Sequence, residues 1–450
     1  MIAGLALPLL LLALNAPPRN IAALATSVTL APGMASFVYL DGPWKFHVGD
    51  DPRWASSSYD DSSWASIDLQ PSPGAHDPDV GLSNWVPGWA AHGYPRYAGY
   101  AWYRLHIALT AAPATELAML GPALVDSAYQ AFFDGNLVGA IGDFRGPVPR
   151  AYGIRPKVFV LPSFARPSTG KAQPILVALR VWMGPWGIAD PQGGGIHIAP
   201  VLGNAEAIHA EYFLQWLEKI RGDFFEIGQA LLLVFLALMA WSLIPFDRSN
   251  RAYLWLAAAL VLTACVRGNL MIYWLEGGET VHAFEAVSIV LLVPLTLMAW
   301  TFSWHSWFGL ARNVWFTPAV VTLAAVYVLA EFLTRSWFYG VFPSWVVALM
   351  HHAIAWDRLV FVALWAYIVY CVVRRDGLAT WVSLPAMLLI AIGQFPAELG
   401  SLNVPGIWFP FGTGVSLTNF AYFFATFALF GMLLLRLWSF APRGRAPSVA

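Results

Sequence analysis

Apolar positions follow two different rhythms along this chain. Between about Phe37 and Asn204 they come in short or alternating runs: Trp44–Val48, Tyr100–Leu109, Ala128–Phe133, Lys157–Leu161 and Pro174–Trp182. Clusters of Gly, Pro, Asp and Ser separate the runs, which predicts strands. Many short strands at this spacing predict an all-β sandwich or jelly roll over 37–204. Asp134-Gly135-Asn136 between two apolar runs is a hairpin signal, because Gly and Asn tolerate positive φ. Beyond Asp223 the rhythm changes to seven apolar segments, near Phe224–Pro245, Ala252–Leu275, Val281–Trp307, Val314–Leu333, Trp345–Val373, Leu378–Leu399 and Phe411–Leu437. Each is about 20 residues or longer, the length that crosses the ~30 Å hydrocarbon core as a helix. Between the two parts, Tyr212, Phe213, Trp216, Leu217 and Ile220 follow helical spacing, with Glu211, Glu218, Lys219 and Arg221 on other faces. That predicts a short amphipathic linker helix over 208–222. At the start, the apolar run Ile2–Leu14 and the small-residue site Ala23-Leu24-Ala25 predict a signal peptide over 1–25, with an uncleaved anchor as the alternative.

Composition sharpens the division. The chain has 450 residues, 58% of them hydrophobic and 11% charged, with a mean hydropathy of +0.59. A soluble domain is near 45–50% apolar and about 25% charged. Of the 26 acids, 16 lie before Gly222, as do all four lysines, so a membrane half follows a soluble half. With the β part exported, the first, third and fifth loops carry Arg248 and Arg251, then Arg312, then Arg374 and Arg375. The tail over 439–450 and the helix end before it add Arg436, Arg443 and Arg445, whereas the outer loops hold Arg335 alone. That bias predicts seven spans with a periplasmic N-terminal domain and a cytoplasmic C-terminus, in a bacterial inner membrane. Net charge is −1 without a basic block, which excludes nucleic-acid binding by a basic face. Two cysteines, Cys265 and Cys371, exclude a disulfide framework and a Cys-based metal cluster.

Four motifs in the β part occur in order: Leu40-Asp41-Gly42-Pro43-Trp44-Lys45-Phe46, Tyr59-Asp60-Asp61-Ser62-Ser63-Trp64, Tyr97-Ala98-Gly99-Tyr100-Ala101-Trp102-Tyr103-Arg104 and Phe133-Asp134-Gly135-Asn136-Leu137-Val138-Gly139. Together they resemble the galactose-binding-like jelly roll at the front of family 2 glycoside hydrolases, over roughly Phe37–Ala199. An exported jelly roll ahead of seven membrane helices is similar to the bacterial seven-transmembrane receptors with diverse intracellular signalling modules. The resemblance implies a sensor that binds a carbohydrate-like or other small ligand outside and signals inward, with no catalytic module of its own. In that family the bundle precedes a kinase, a phosphatase or a cyclic-nucleotide enzyme. Here the chain stops about a dozen residues after the last apolar segment, so a separate cytoplasmic output protein is the expected partner. A truncated or split signalling enzyme, and a transporter or membrane enzyme, are the alternatives.

Candidate chemistry falls into two groups. In the β part, Trp85, Trp89, His92, Tyr94 and Tyr97 form one aromatic, Pro/Gly-rich stretch, and Trp182, Trp186 and Asp190 form another. Aromatic faces stack on sugar C–H faces while acids and His take hydroxyls, and such sites are apolar with a few placed polar groups. Trp44, Phe46, Trp64, Trp102 and Tyr103 are instead expected in the core. Within the spans, Arg267, Glu285, Glu331, His351, His352, Asp357, Arg358, Gln394 and Glu398 all fall in the outer half or near mid-membrane. Each such group costs several kcal/mol unpaired, about 2.5–3.5 on insertion scales, so each is a functional candidate. Arg267 and Arg358 are expected to pair with Glu285, Asp357, Glu331 or Glu398, with Arg267–Asp357 the first pair to test and Glu285 or Glu398 next for Arg267. No lysine follows Lys219, which excludes a retinal Schiff base in the bundle. His351 and His352 are adjacent and cannot both face one haem iron. The acid pair of a glycosidase needs a catalytic scaffold that the resemblance does not cover, and Gly193-Gly194-Gly195 lacks the Lys-Ser/Thr of a phosphate loop. No cofactor or metal is expected.

Overall fold

The computed structural model describes residues 27–30, 36–77, 82–95, 97–110, 116–152, 155–161, 173–184, 193–247, 251–273, 280–310, 314–338, 341–374, 378–409 and 415–440. The expected signal peptide over 1–25 and nearly all of the tail lie outside these residues. In chain order the strands are β1 (Ser27–Thr29), β2 (Phe37–Tyr39), β3 (Trp44–Val48), β4 (Ala65–Ile67), β5 (Gly99–Thr110), β6 (Leu117–Leu120), β7 (Val125–Asp126), β8 (Ala128–Phe133), β9 (Asn136–Ile141), β10 (Val158–Val160), β11 (Gln173–Met183), β12 (Gly195–Ile196) and β13 (Val201–Asn204). The larger sheet runs β4-β3-β5-β11-β8-β9, with β1 added parallel to β5, and the second runs β10-β6-β13-β2. The five strands expected from alternation are all present, within one or two residues at each end.

Both sheets contribute to one core. Trp44, Phe46, Tyr103, Tyr129 and Phe133 from the large sheet meet Leu117, Met119, Phe159 and Leu202 from the small one. Trp44, Phe46, Trp64, Trp102 and Tyr103 are all buried, as their apolar spacing suggested. The β8–β9 turn is the two-residue hairpin Asp134-Gly135, both with positive φ. That twist matches the flanking strands.

Asn204 ends β13 and caps the next element: its side chain accepts the Ala207 N–H at 3.2 Å. From there α1 (Ala205–Leu243) runs for 39 residues without a break. The amphipathic stretch expected as a separate linker and the first apolar segment are therefore one helix. The bundle continues with α2 (Ala252–Met271), α3 (Val281–Phe284), a π-helical segment over Glu285–Leu292, α4 (Val293–Trp307), α5 (Phe316–Thr334), α6 (Ser344–Val373), α7 (Leu378–Gln394), α8 (Pro396–Ser401), a small ladder of β14 (Ile407–Trp408) with β15 (Val415–Ser416), and α9 (Leu417–Phe440). Pro294 lacks the N–H that an α-helix would direct to Val290, consistent with the widened turns before it.

Six helices among the described residues are long and apolar enough to cross a membrane. The expected seventh, Leu378–Leu399, is divided: α7 has 17 residues, about 25 Å, and stops where Pro396 opens α8. Deep in the bundle, tryptophans are tied by hydroxyls on other helices. Trp300 donates to Thr263 at 3.0 Å, Trp365 to Thr301 at 2.8 Å and Trp307 to Ser383 at 2.9 Å. Buried as they are, these N–H groups need acceptors within the protein.

The β part rests on one end of the bundle. Val281 donates its N–H to Ala151 at 3.1 Å, and Tyr152 bridges Thr280. Ala128, Ala151, Trp182 and Val281 bury one another beneath Tyr100, Phe144 and Tyr273.

Gly195 shows how tightly the β core is set. Its φ is +85°, and a Cβ there would lie 2.3 Å from Trp89 Nε1 and 2.4 Å from the Tyr103 hydroxyl. A fragment over about Ser36–Ala205 is expected to be soluble, monomeric and β-rich by circular dichroism without any oxidising step. Gly195→Ala in it should lose about 2–4 kcal/mol by denaturant unfolding, from the left-handed φ and the overpacking together. A mainly helical spectrum, or an unchanged midpoint in the variant, would contradict this core.

Candidate functional site

The buried charges of the bundle form one layer. In α1, Glu226 Oε1 accepts from Arg267 Nη1 of α2 and from Asn419 Nδ2 of α9, both at 3.3 Å. Gln229, one turn further along α1, donates to the Asn419 carbonyl at 2.5 Å. The Arg267 guanidinium lies 5.0 Å from the Tyr422 ring centre, and the Tyr422 hydroxyl accepts from Gln394 of α7 at 2.6 Å. The backbone carbonyl of Gln394 accepts from Arg358 of α6 at 2.9 Å. Arg358 grips Glu398 of α8 with two bonds of 2.5 and 2.7 Å and donates to Tyr327 of α5 at 3.0 Å. One turn beyond Tyr327, Glu331 pairs with Arg335, which also reaches Glu285 of the π segment at 3.4 Å.

Forked pairing suits guanidinium and carboxylate, and each bond of this kind exceeds a neutral one in strength. Arg267, Glu285 and Glu331 are buried, so their charges are met by partners inside the protein. The expected Arg267–Asp357 pair is not formed: Arg267 of α2 bonds Glu226 of α1, while α6, which carries Asp357, packs against α5 and α4. Asp357 is 4% exposed, on the same face of α6 as buried Phe361, Trp365 and Ile368. No hydrogen-bond donor among the described residues reaches either of its carboxylate oxygens. His351 and His352 lie exposed on the outside of α6 and take no part in the layer. Glu226, Tyr327, Asn419 and Tyr422 were not singled out from the sequence. Glu226 was detectable as an acid inside the first apolar segment, while Arg335 reads there as a loop residue but follows directly on α5.

The aromatic candidates of the β part separate by burial. Trp89 is enclosed, donating to the Tyr103 hydroxyl at 2.6 Å, and burial pushes that phenol well above the ordinary tyrosine range. Tyr97 packs edge-on to Trp89 and donates to the Tyr100 carbonyl at 2.7 Å. Tyr94 leans on Phe46 with ring centres 5.6 Å apart. Trp182 is buried in the contact with the bundle. These four rings pack the domain and its docking face, and His92 is exposed. Trp186 and Asp190 lie outside the described residues.

Trp85 remains half-exposed, and it has a partner the sequence did not reveal. Its ring stacks on His197 with centres 5.6 Å apart and planes 1° from parallel. His197 Nδ1 meets the Val86 carbonyl at 2.9 Å, and its Nε2 meets Asp126 Oδ2 at 3.2 Å. Both ring nitrogens thus face acceptors, as an imidazolium requires. Burial of Asp126 works against its ionisation, but His197 and the Gly194 N–H outweigh it and hold the carboxyl below its usual range. The result is a flat aromatic ring beside a fixed ion pair.

No family model matches the chain, and no curated protein matches it. Among solved structures, a β-glucuronidase from Bacteroides uniformis aligns at 24% identity over 37% of this chain and 17% of its own, with a TM-score of 0.26. A glycosyl hydrolase family 2 member from Bacteroides cellulosilyticus aligns at 21% identity over 37% and 20%, with a TM-score of 0.24. A β-glucuronidase from Ruminococcus gnavus aligns at 14% identity over 38% and 30%, also with a TM-score of 0.24. This chain therefore spans less than a third of those enzymes' length, and likeness at that level assigns it neither activity nor substrate.

Removing one member of a buried ion pair typically costs ~3–5 kcal/mol, since the other charge stays behind. Arg267→Ala and Glu226→Ala should each lower thermal stability in lipid nanodiscs, and the double variant should regain part of the loss. Arg267→Ala combined with Asp357→Ala should instead be additive. Coupling of Arg267 to Asp357 rather than to Glu226 would refute the layer as drawn.

Proposed function

We propose that this chain is a membrane sensor whose β domain reads a carbohydrate-like ligand outside the cytoplasm and whose helices carry the bound state inward. The observation that carries this reading is α1, which leaves the last β strand and runs as one unbroken helix into a stretch long and apolar enough to cross a membrane. A domain attached so rigidly, and clamped again at Thr280 and Val281, cannot shift without moving helix ends. Trp85 beside the His197–Asp126 pair is the proposed ligand contact, with a ring for the sugar's C–H face and a carboxylate for its hydroxyls. The four motifs that resemble a sugar-binding jelly roll support the ligand class. The output is proposed to pass to a cytoplasmic partner.

The proposed topology has seven spans, with the β domain periplasmic. In it α7 crosses as the short seventh helix, a mismatch that local thinning and tilt of the bilayer absorb at modest cost. The arginine bias of the loops supports this orientation. A second reading, a proton- or ion-coupled transporter, is favoured by one observation, the unpartnered Asp357 carboxylate. An ionised acid in such a place is expensive, so natural chains retain one chiefly where it is used. The closed pairing of the other charges favours the sensor.

Two experiments test the proposal. The full chain in nanodiscs should bind a subset of neutral or acidic glycans on an array, and Trp85→Ala should weaken the best of them at least tenfold in tryptophan-fluorescence titrations. No binding to any glycan, or unchanged binding in Trp85→Ala, would remove the carbohydrate reading. A reporter fused after Arg445 should behave as cytoplasmic and one after Gly277 as periplasmic. Finding both on one side would remove the seven-span topology.

A further inference from the structure

Helix α1 has one face that is used along its whole length and one that is empty. Ile208 and Tyr212 pack against β6 and β13 at its start, with Glu211 accepting from the Tyr39 hydroxyl at 3.1 Å. Further along the same side, Gln229, Leu233, Leu236, Ala240 and Leu243 are buried in the bundle. The opposite side carries Phe213, Leu217 and Ile220 before the span, then Ile227, Leu231, Val234, Leu238 and Trp241 within it. These side chains are between 36 and 68% exposed. The steps between them alternate four and three residues, with Phe224 filling the one remaining register position in the sequence, and Leu214, Leu232 and Phe235 beside the stripe are exposed as well.

Any lipid-facing position is apolar, so the inner half of this stripe by itself says little. Its spacing and its outer half say more. A straight α-helix drifts ~20° per heptad against a strict seven-residue repeat, so a stripe held for four heptads stays on one seam only when two helices supercoil. Lipid imposes no such period. The apolar segment of α1 begins at Phe224 in the sequence, and Phe213 lies 11 residues earlier, about 16 Å up the axis. The interfacial layer adds only ~5–8 Å on each side of the hydrocarbon, so Phe213 would otherwise face water. A row of large apolar side chains in that position marks a partner surface.

We propose that α1 is a dimerisation helix, pairing in parallel with α1 of a second copy of this chain. A two-fold axis along the seam makes one stripe complementary to itself. The exposed area of the eight side chains is on the order of 700 Å² per copy, close to the ~800 Å² per partner of a standard stable interface. At the inner end, a groove of about 430 Å³ between α1 and α2, lined by Leu238, Trp241, Leu254 and Val261 among others, gives room for a partner side chain beside the seam. The pairing concerns association alone and stands whether or not the β domain binds a sugar.

Cross-linking of the full chain in its native membrane tests the seam. In a background with Cys265→Ser and Cys371→Ser, the single variants Leu217→Cys and Ile220→Cys should form disulfide-linked dimers under mild copper-phenanthroline oxidation. They should do so at least ten times faster than Glu218→Cys on the flank. Equal rates, or no dimer at either seam position, would overturn the proposal. So would labelling of the seam cysteines by a lipid-phase reagent without cross-linking, which would assign the face to lipid. As a second reading, native mass measurement in nanodiscs should give a dimer for the unaltered chain and a monomer for Leu217→Glu with Ile220→Glu. A monomeric unaltered chain would also overturn the proposal.

Discussion

The layer of paired charges at the end of the bundle nearest the β domain is what the other features hang on. Helices that are apolar all round gain little from burying one face rather than another in lipid, because hydrocarbon solvates every face alike. Their rotation about their own axes must be fixed by something directional. Here Glu226, Arg267, Asn419, Tyr422, Gln394, Arg358, Glu398 and Tyr327 are linked by bonds and a cation–ring contact across α1, α2, α5, α6, α7, α8 and α9, and one turn beyond Tyr327 a second group, Glu331, Arg335 and Glu285, ties the end of α5 to the π segment. Each acid and arginine in it would be costly alone, so turning one helix leaves a charge without its mate. Below this level, tryptophan–hydroxyl bonds repeat the device in neutral form.

The same layer sits next to the place where the β domain touches the bundle. Thr280 and Val281 are held by Tyr152 and Ala151, and Glu285 follows little more than one turn later at the start of the π segment. Widened turns of this kind are the parts of a helix whose hydrogen bonds rearrange most readily. On the other side of the domain, α1 leads directly from β13 to Glu226. One covalent route, α1, and one hydrogen-bonded contact, at Thr280 and Val281, thus lead from the sheets towards the polar network, which is the physical basis for reading the molecule as a sensor.

Most of the architecture was legible in the sequence, for reasons that differ by region. Strands such as Trp44–Val48 and Ala128–Phe133 declare themselves by alternation and by the Gly and Asp that end them. The spans declare themselves by length, except that Pro396 closes α7 before Leu399. Which charges matter was also visible, since Arg267, Arg358 and Glu331 interrupt apolar runs. Their partners were not. Choosing Glu226 over Asp357 for Arg267 depends on how each helix is turned, and a helix that is apolar on all sides carries no periodic signal of that. Trp89 misled for a related reason. It stands in a Pro/Gly-rich stretch that looks like a loop, yet Gly194 and Gly195 leave room for its ring to turn inward. Trp85, four residues earlier, stays half-exposed because His197, distant in sequence, supplies its stacking surface.

The central claim is that the β domain and the charged layer are mechanically joined at Val281. Hydrogen–deuterium exchange of the full chain in lipid nanodiscs, comparing the unaltered protein with Val281→Asp, tests it most directly. The substitution puts a charge into the apolar docking contact from the bundle side and lies outside the β core. Faster exchange over Glu285–Leu292 and around Gln394–Glu398, with protection of β5 and β11 unchanged, is the predicted result. Exchange that rises only at Thr280–Phe284 and nowhere in the charged layer would contradict the account.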